Sequence, residues 1–270
     1  MTVAEERVAE ARPDPFAITP PAALPTRPRL LSHVGRWGRA RRWLPEGAQR
    51  VLDVGAAFGY GSAALATAGR RVVGVERDAG NVEAARRILP GIVILEGDAE
   101  ALPVADGCAD AVVMLDIVEH LSDPRGAMAE VHRALRPGGV LVVSVPHRGL
   151  LHRFDALNVY SALRRRFPHW PGLEADTESA GHEHRHFTRA EVEDLLQPWF
   201  GVDRVARTGL GVQELLYHAL LLARVPFGRE RVSRAFLPLH LLIYCLDDAV
   251  PWGPLGYHMA VRGVRREETP

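Results

Sequence analysis

The stretch that decides the fold is Val51-Leu52-Asp53-Val54-Gly55-Ala56-Ala57-Phe58-Gly59, a short apolar run that leads into a glycine-bearing turn. Helical spacing begins directly after it. Glycine lets the backbone approach a ligand closely and adopt conformations that a side chain forbids, and the N-terminus of the following helix offers unpaired N–H groups. The stretch therefore predicts a strand, a ligand-binding turn and a helix, the opening unit of a doubly wound α/β fold.

Short apolar runs and helical stretches continue to alternate toward the middle of the chain. The five predicted strands cover 51–54, 71–75, 92–95, 111–115 and 140–145, and the helices between them cover 59–68, 78–89 and 124–135. Such alternation predicts βαβ units, and strands that are apolar throughout indicate helices on both faces of the sheet. We therefore predict an α/β fold, a Rossmann-like three-layer sandwich with a mostly parallel central sheet.

The regular alternation of strands and helices ends after Pro146, and the residues before position 29 do not show it either. After Pro146 we predict a helix over 150–167 and a second helix that begins at Thr188, where Thr188 and Glu191 form a capping box. Two later strands are predicted over 202–208 and 256–263. Apolar helices over 212–225 and 235–246 are predicted to form a C-terminal helical insertion. Six prolines between residues 13 and 28 predict a flexible Pro-rich arm over 1–28 that contributes nothing to stability. The rest, 29–270, is predicted as one domain, with a cofactor-binding half at about 48–147 and acceptor-binding or lid segments at about 148–200 and 210–250.

Composition narrows the class of partner. The chain has 33 basic and 33 acidic residues, a formal net charge of zero, which gives no case for nucleic acid. Its two cysteines and the absence of a signal-peptide pattern predict a cytoplasmic protein without disulfides. The apolar C-terminal segments are too short to span a bilayer; they suit a lid or a homodimer contact, with peripheral membrane contact near a lipid-linked substrate as the alternative.

A predicted helix over 30–44 has two interpretations. It contains Arg36, Arg39, Arg41 and Arg42. A run of charges usually forms a solvated face, and the alternative is contact with an anionic substrate or surface.

Two acidic residues follow the second and third predicted strands. Glu76 ends the second strand, where a carboxylate can accept both hydroxyls of a ribose. Asp98 follows the third strand, where it can bind an adenine amino group while neighbouring apolar residues pack on the ring. A nicotinamide-binding turn would instead need glycine at positions 57 and 60, which are Ala57 and Tyr60.

Together, these motifs over residues 51–145 resemble class I S-adenosylmethionine-dependent methyltransferases, in the branch of small-molecule and quinone methylating enzymes. The resemblance implies S-adenosylmethionine as cofactor, with Asp53, Gly55 and Gly59 at its methionine part and ribose. Glu76 corresponds to the ribose acid and Asp98 with Ala99 to the adenine contacts, while the segment 116–121 faces both cofactor and substrate. The predicted cofactor-binding residues are Asp53, Gly55, Ala57, Gly59, Glu76, Arg77, Asp98, Ala99 and Asp116. Ala57 departs from the family, which usually has glycine there, and its methyl group restricts close approach.

The catalytic base is predicted at the ends of the fourth and fifth strands, where open α/β sheets bind ligands. His147 directly follows the fifth strand and His120 follows the fourth. Histidine suits this role because its ordinary pKa lies near operating pH. We predict His147 as the base that takes the acceptor's proton, with His120 as the second candidate.

The loop Gly181-His182-Glu183-His184-Arg185-His186 places three histidines at alternate positions. The favoured interpretation is a loop that closes over the acceptor. The predicted substrate-binding residues are Glu119, Tyr160, His182, His184 and His186. A divalent metal is the alternative, with Asp116, Asp155 and His184 as its candidate ligands.

The acceptor is inferred from resemblance alone. The His-Arg-His-Phe-Thr opening of the late helix and the final Gly256-Tyr257-His258 strand are similar to methyltransferases among glycan-assembly enzymes. This similarity implies O-methylation of a saccharide or glycoside. The alternatives are O-methylation of a natural-product or quinone hydroxyl, and a protein that binds the cofactor without transferring methyl.

Overall fold

The computed structural model describes residues 12–19, 35–66, 69–166, 185–212, 215–216, 239, 242–243 and 246–267. Its helices are α1 Gly35–Trp43, α2 Tyr60–Leu65, α3 Ala79–Ile88, α4 Pro124–Ala134, α5 Ala156–Arg166 and α6 Arg189–Leu196. Its strands are β1 Arg50–Val54, β2 Arg71–Glu76, β3 Val93–Glu96, β4 Ala109–Leu115, β5 Leu135–Pro146, β6 Phe200–Thr208 and β7 His258–Arg265.

The seven strands form one sheet in the order β3-β2-β1-β4-β5-β7-β6. The first five are parallel, and β7 runs antiparallel to both of its neighbours. The predicted mostly parallel α/β sandwich is therefore confirmed. The fifth strand begins at Leu135, five residues before the predicted start, because Leu135 already pairs with Ala109 ahead of a register shift, and Gly138 takes a positive φ of 71° inside the strand.

Alternate residues of the central strands bury against helices on opposite faces of the sheet. Leu52 of β1 belongs to a buried cluster that includes residues of α4 and α6. Val51, its neighbour, belongs to a second cluster that includes residues of α1 and α2. Because successive side chains of a strand point to opposite faces, this division produces three layers, helix–sheet–helix.

The predicted arm contains a segment that packs on the domain. Residues 15–17 form a 3₁₀ helix capped by the Asp14 side chain, and Phe16 is 4% exposed within the main core cluster. The Pro13 carbonyl accepts a hydrogen bond from the Ala105 N–H at 3.0 Å. For 12–19 the expected separate arm is therefore wrong: proline excludes long helices, yet it leaves a short apolar segment free to dock. The other residues of 1–28 lie outside the described part of the chain.

Beyond β5, the predicted capping box is present, with Thr188 and Glu191 each accepting the other's backbone N–H. The predicted helix over 150–167 is divided into a 3₁₀ turn at 152–154 and α5, because Asp155 caps the start of α5 by accepting the Asn158 N–H. Most of the predicted C-terminal helical insertion lies outside the described residues, although 246–249 is helical. No helix in the described ranges has the length and apolar character needed to cross a bilayer.

Helix α1 is tied to the C-terminal segment through a buried ion pair. Arg39, 7% exposed, binds the Asp248 carboxylate at 3.0 Å, and the Thr208 hydroxyl donates to the same carboxylate at 2.7 Å. The interpretation of the arginines of this helix as one solvated face is therefore wrong for Arg39, whose charge is paired inside the protein.

Candidate cofactor and acceptor site

A cleft of about 220 Å³ opens at the carboxyl ends of the parallel strands. Its lining comprises Val54, Gly55, Val75, Glu76, Arg77, Gly97, Asp98, Ala99, Asp116, Ile117, His120 and Leu121. The lining includes six of the nine predicted cofactor-binding residues and one of the two predicted bases. They meet because β1, β2 and β4 are adjacent parallel strands whose carboxyl ends share one edge of the sheet.

The turn after β1 is shaped for close approach. Gly55 has a φ of +82°, and a Cβ there would lie 2.6 Å from the Ile117 side chain, so only glycine fits. Ala57 also has a positive φ, of 45°, and its N–H donates to the Glu76 carboxylate at 2.9 Å. The alanine that replaces the family's usual glycine thus keeps the left-handed conformation at a steric cost.

We expect Ala57→Gly to raise the free energy of unfolding by about 0.5 kcal/mol. Relief of the left-handed strain, about 1 kcal/mol, outweighs the added backbone entropy of the unfolded chain, about 0.5 kcal/mol. Urea unfolding measures the difference. Ala63→Gly, within α2, is the control and should destabilise by about 1 kcal/mol; equal losses at both positions would show that Ala57 is unstrained.

The rim of the cleft carries acidic groups held by backbone amides. Glu76 accepts the N–H groups of Ala57 and Asp78, each at 2.9 Å, which fixes its carboxylate at the end of β2. Asp98 accepts the Glu100 N–H at 2.9 Å, and the Arg77 guanidinium lies 4.0 Å from its other oxygen. Glu76 and Asp98 line the same cleft with buried Ala99, and their roles at the ribose and the adenine stay predictions.

Asp53 and Gly59 lie behind the cleft and are not part of its lining. Asp53 is 4% exposed and accepts a hydrogen bond from the Ser62 hydroxyl at 2.7 Å; burial raises its pKa to about 6 against the opposing effects of Ser62 and Arg36. Gly59 begins α2, and a Cβ there would face Ile94 and Leu89. Both residues therefore support the turn from the protein side.

Asp116 lies where the cofactor cleft continues toward the acceptor side. It has a positive φ of 55°, its Oδ1 accepts the Ser144 hydroxyl at 2.6 Å, and Arg36 of α1 pairs with its Oδ2. Arg36 is therefore next to the cleft through its ion pair with Asp116, and contact of the arginine helix with an anionic substrate or surface stays a prediction.

Glu119, three residues after Asp116 in the sequence, differs from the other polar groups near this end of the cleft. It belongs to a 3₁₀ turn, Val118–His120, is 7% exposed, and no other described residue forms a hydrogen bond to either of its carboxylate oxygens. Burial, followed by the negative charge of Asp116, raises its pKa well above the usual range; its own backbone N–H and then Arg36 oppose the shift, and Asp155 adds to it. Such a carboxyl holds its proton to unusually high pH.

A second buried polar cluster lies beside it. Asp155, 1% exposed, accepts the Tyr257 hydroxyl and the Asn158 N–H, and its Oδ2 lies 3.4 Å from His186 Nε2. The His186 ring packs edge-on against Tyr257. Sequence reasoning did not assign Tyr257 or Ser144 to the site and did not pair Arg36 with Asp116, because each of these contacts joins segments far apart in the chain.

The two predicted bases have different surroundings. His120 is exposed and lines the cleft. His147 is 4% exposed and lies outside the lining; its Nδ1 donates to the Gly256 carbonyl at 2.6 Å, which leaves Nε2 as the basic nitrogen. Burial, followed by nearby Arg207, lowers the pKa of His147 against the opposing effect of the Gly256 carbonyl, so the ring is neutral at pH 7.

Three predicted site residues cannot be placed. His182 and His184 lie outside the described residues, as does the side chain of Tyr160 within α5. In the described part of the chain, no three acidic, histidine or cysteine side chains come together as a metal site would require. A larger cleft, about 540 Å³, opens at the opposite edge of the sheet beside Arg50 and Arg71, and it contains none of the predicted site residues.

Comparison with known proteins agrees with this geometry. Residues 52–143 match the model of a methyltransferase domain family. A probable S-adenosylmethionine-dependent methyltransferase of Mycolicibacterium smegmatis is 40% identical over 98 residues, covering 36% of this chain and 38% of the relative. A demethylmenaquinone methyltransferase of Renibacterium salmoninarum is 40% identical over 115 residues, covering 40% and 48%. The chain thus spans less than half the length of each of these relatives.

Solved structures extend the similarity of fold beyond the matched segment. A methyltransferase dependent on S-adenosylmethionine from Thermotoga maritima aligns with a TM-score of 0.54 and 21% identity, covering 84% of this chain and 86% of that one. The [4+2]-cyclase SpnF aligns with a TM-score of 0.51 and 19% identity, covering 82% and 75%. Residues 52–143, whose motifs lie on the cleft, thus match a methyltransferase domain family.

Proposed function

We propose that the chain is an S-adenosylmethionine-dependent O-methyltransferase whose acceptor is a hydroxyl of a saccharide or glycoside. The observation that carries the proposal is the buried polar character of the acceptor edge, above all the two Glu119 oxygens without hydrogen-bond partners. Asp155, Tyr257 and His186 add further polar groups nearby. A sugar presents several hydrogen-bonding hydroxyls to such groups, whereas an aromatic acceptor favours an apolar pocket.

Different residues of the site bind the cofactor, accept the proton and shape the acceptor pocket. The bound cofactor supplies an electrophilic methyl group on a positively charged sulfur. Gly55 admits the cofactor beside Ile117, and Glu76 and Asp98 hold its ribose and adenine. His147, neutral at pH 7, takes the hydroxyl proton as the oxygen–methyl bond forms. His120 and His186, with the predicted His182 and His184, shape the pocket around the acceptor.

The test is release of S-adenosylhomocysteine with a panel of acceptors. We expect turnover with monosaccharides, glycosides or oligosaccharides, and none with hydroxylated naphthoquinones. The reverse pattern would favour the quinone alternative, whose support is the relative that is a demethylmenaquinone methyltransferase. No release with any acceptor, despite cofactor binding, would favour a protein that binds the cofactor without methylating, an alternative motivated by the fold shared with a cyclase.

We expect Glu76→Ala to weaken S-adenosylmethionine binding by about 1–3 kcal/mol, the cost of a lost charge-assisted hydrogen bond. Titration calorimetry measures this. The matched control is Glu96→Ala, because Glu96 pairs in register with Glu76 at the end of β3 but does not line the cleft. Glu76→Gln, which keeps an acceptor for the Ala57 and Asp78 N–H groups, separates ribose binding from support of the turn. Unchanged affinity in both Glu76 variants would remove the residue from the site.

The proposal also concerns the cellular location, the partners and the metal dependence of the enzyme. We infer a cytoplasmic protein, since the chain has only two cysteines, far apart in the sequence, which give no disulfide framework. Exposed leucines in the C-terminal region, among them Leu242 at 55% and Leu246 at 61%, suit a homodimer contact or peripheral membrane contact near a lipid-linked acceptor. A divalent metal remains an alternative route to hydroxyl activation, which loss of turnover on chelator treatment would indicate.

A further inference from the structure

Asp116 lines the cleft, and two buried carboxyl groups, Glu119 and Asp155, lie near it: Asp116 and Asp155 each act electrostatically on Glu119. Asp116 has the Arg36 guanidinium and the Ser144 hydroxyl. Asp155 has the Tyr257 hydroxyl and the Asn158 N–H. Glu119 is 7% exposed, yet no other residue in the described part of the chain donates a hydrogen bond to either of its oxygens. A buried group left unsatisfied in this way calls for an explanation.

The position of Glu119 relates it to the charged end of the cofactor. Asp98 and Ala99 mark the adenine end of the cleft and Glu76 the ribose, so Gly55, against Ile117, marks the methionine end. Glu119 belongs to the turn that follows Ile117, between two cleft-lining residues, Ile117 and His120. The sulfonium charge of the methyl donor therefore arrives beside this turn.

We propose that Glu119 distinguishes the charged methyl donor from its neutral product: its carboxyl group is protonated in the empty site, loses the proton when the sulfonium compound binds, and regains one after methyl transfer. The inference rests on the proposed cofactor but not on the identity of the acceptor. It makes Glu119 a residue that determines donor-over-product selectivity.

The charges and protons balance at each stage. In the empty site, Asp116 and Asp155 disfavour a further negative charge, and Arg36, already paired with Asp116, only partly opposes them. Binding of a cation breaks the Glu119 O–H bond, and the proton passes to solvent. Methyl transfer converts the sulfonium to a neutral thioether, and the hydroxyl proton of the acceptor passes to His147. His147 then releases that proton to solvent and Glu119 takes one up from solvent, so neither buried group retains an uncompensated charge.

The expected pH dependence follows from this linkage. A positive charge within about 4–6 Å lowers a carboxyl pKa by about 1–3 units, so the donor binds the ionised form more tightly. As pH falls below the pKa of Glu119 in the empty site, donor affinity falls by up to about tenfold per pH unit, while product affinity is unchanged. The ratio of donor to product affinity therefore rises with pH and then levels off.

Calorimetry in two buffers of different ionisation enthalpy counts the protons released on binding. For the wild-type protein without acceptor, we expect proton release with S-adenosylmethionine and none with S-adenosylhomocysteine. The titrations are made at about pH 6, where the amino group of each free ligand is protonated because the ordinary pKa of an α-amino group is about 7.7–8.0. In Glu119→Gln the release should disappear, and selectivity for the donor should fall about tenfold. Glu96→Gln, at an exposed carboxyl group that ends β3 and does not line the cleft, should retain the difference between the ligands.

The possible results distinguish a failure of this inference from a failure of the proposed function. Wild-type binding of both ligands with equal proton release would overturn the role of Glu119 and leave the proposed function intact. So would a donor-specific release that persists in Glu119→Gln. Failure of the wild-type protein to bind either ligand would overturn the proposed function and this inference together. The wild-type comparison needs no variant, so it decides the matter even if Glu119→Gln does not fold.

Discussion

His147→Ala should lower turnover with a hydroxyl acceptor by about 10²–10⁴-fold, the range of a lost general base, and leave cofactor affinity close to wild type. His147 follows β5 at the carboxyl edge of the sheet, but it does not line the cofactor cleft. Loss of its ring therefore affects the chemical step more than cofactor binding. Steady-state kinetics with a saturating acceptor, alongside calorimetry with the cofactor, measures the two effects separately.

The control for this substitution exploits the hydrogen bond to Gly256. His147→Asn places an amide N–H where Nδ1 lies, and can still donate to the Gly256 carbonyl, but has no basic nitrogen. If His147 has only a structural role, His147→Asn should restore the turnover that is lost in His147→Ala. If His147 is the base, turnover in His147→Asn should stay low. Wild-type turnover in His147→Asn would therefore end the proposal for His147.

The pH profile gives an independent check. Burial lowers the pKa of His147 below 6.5, and protonation on acidification removes the base. Turnover should therefore be insensitive to pH just below 7 and fall only as the pH drops through the lowered pKa. A profile that falls already between about pH 7 and about pH 8 would point to a group with a higher pKa.

The sheet and the cofactor side could be predicted because their signals are local. An apolar run, a glycine turn and a helical stretch follow one another within about twenty residues, and the parallel topology brings the strand ends together. Gly55, Glu76 and Asp98 each sit at such an end and line one cleft. Asp53 belongs to the same strand-and-turn motif as Gly55, but its side chain lies behind the turn, where it accepts a hydrogen bond from Ser62. Alternate residues of a strand face opposite ways.

The acceptor side could not be predicted because its contacts are between distant segments. Tyr257 and Asp155 are separated by 102 positions, and Arg36 and Asp116 by 80. The pattern identified Glu119 as a site residue but gave no sign that its carboxylate would lack donors. Whether a polar group is satisfied depends on every segment packed around it, and no spacing rule contains that information.

Phe16→Ala should lower the free energy of unfolding by about 3–5 kcal/mol, the cost of removing a buried aromatic side chain. Proline density predicts that this region is an arm, yet Phe16 is 4% exposed within the core cluster that contains Leu52 and Val73. The Arg50 guanidinium lies over the Phe16 ring, with its carbon 5.7 Å from the ring centroid. Urea or thermal unfolding measures the loss.

The matched control lies two residues away. Ile18 is 42% exposed, so Ile18→Ala should change the free energy of unfolding by no more than about 0.5 kcal/mol. Deletion of residues 1–19 should destabilise about as much as Phe16→Ala, because Phe16 provides most of the buried apolar surface of the docked segment. If Phe16→Ala and Ile18→Ala are equally harmless, the segment does not pack on the sheet in solution, and residues 12–19 belong to a flexible arm after all.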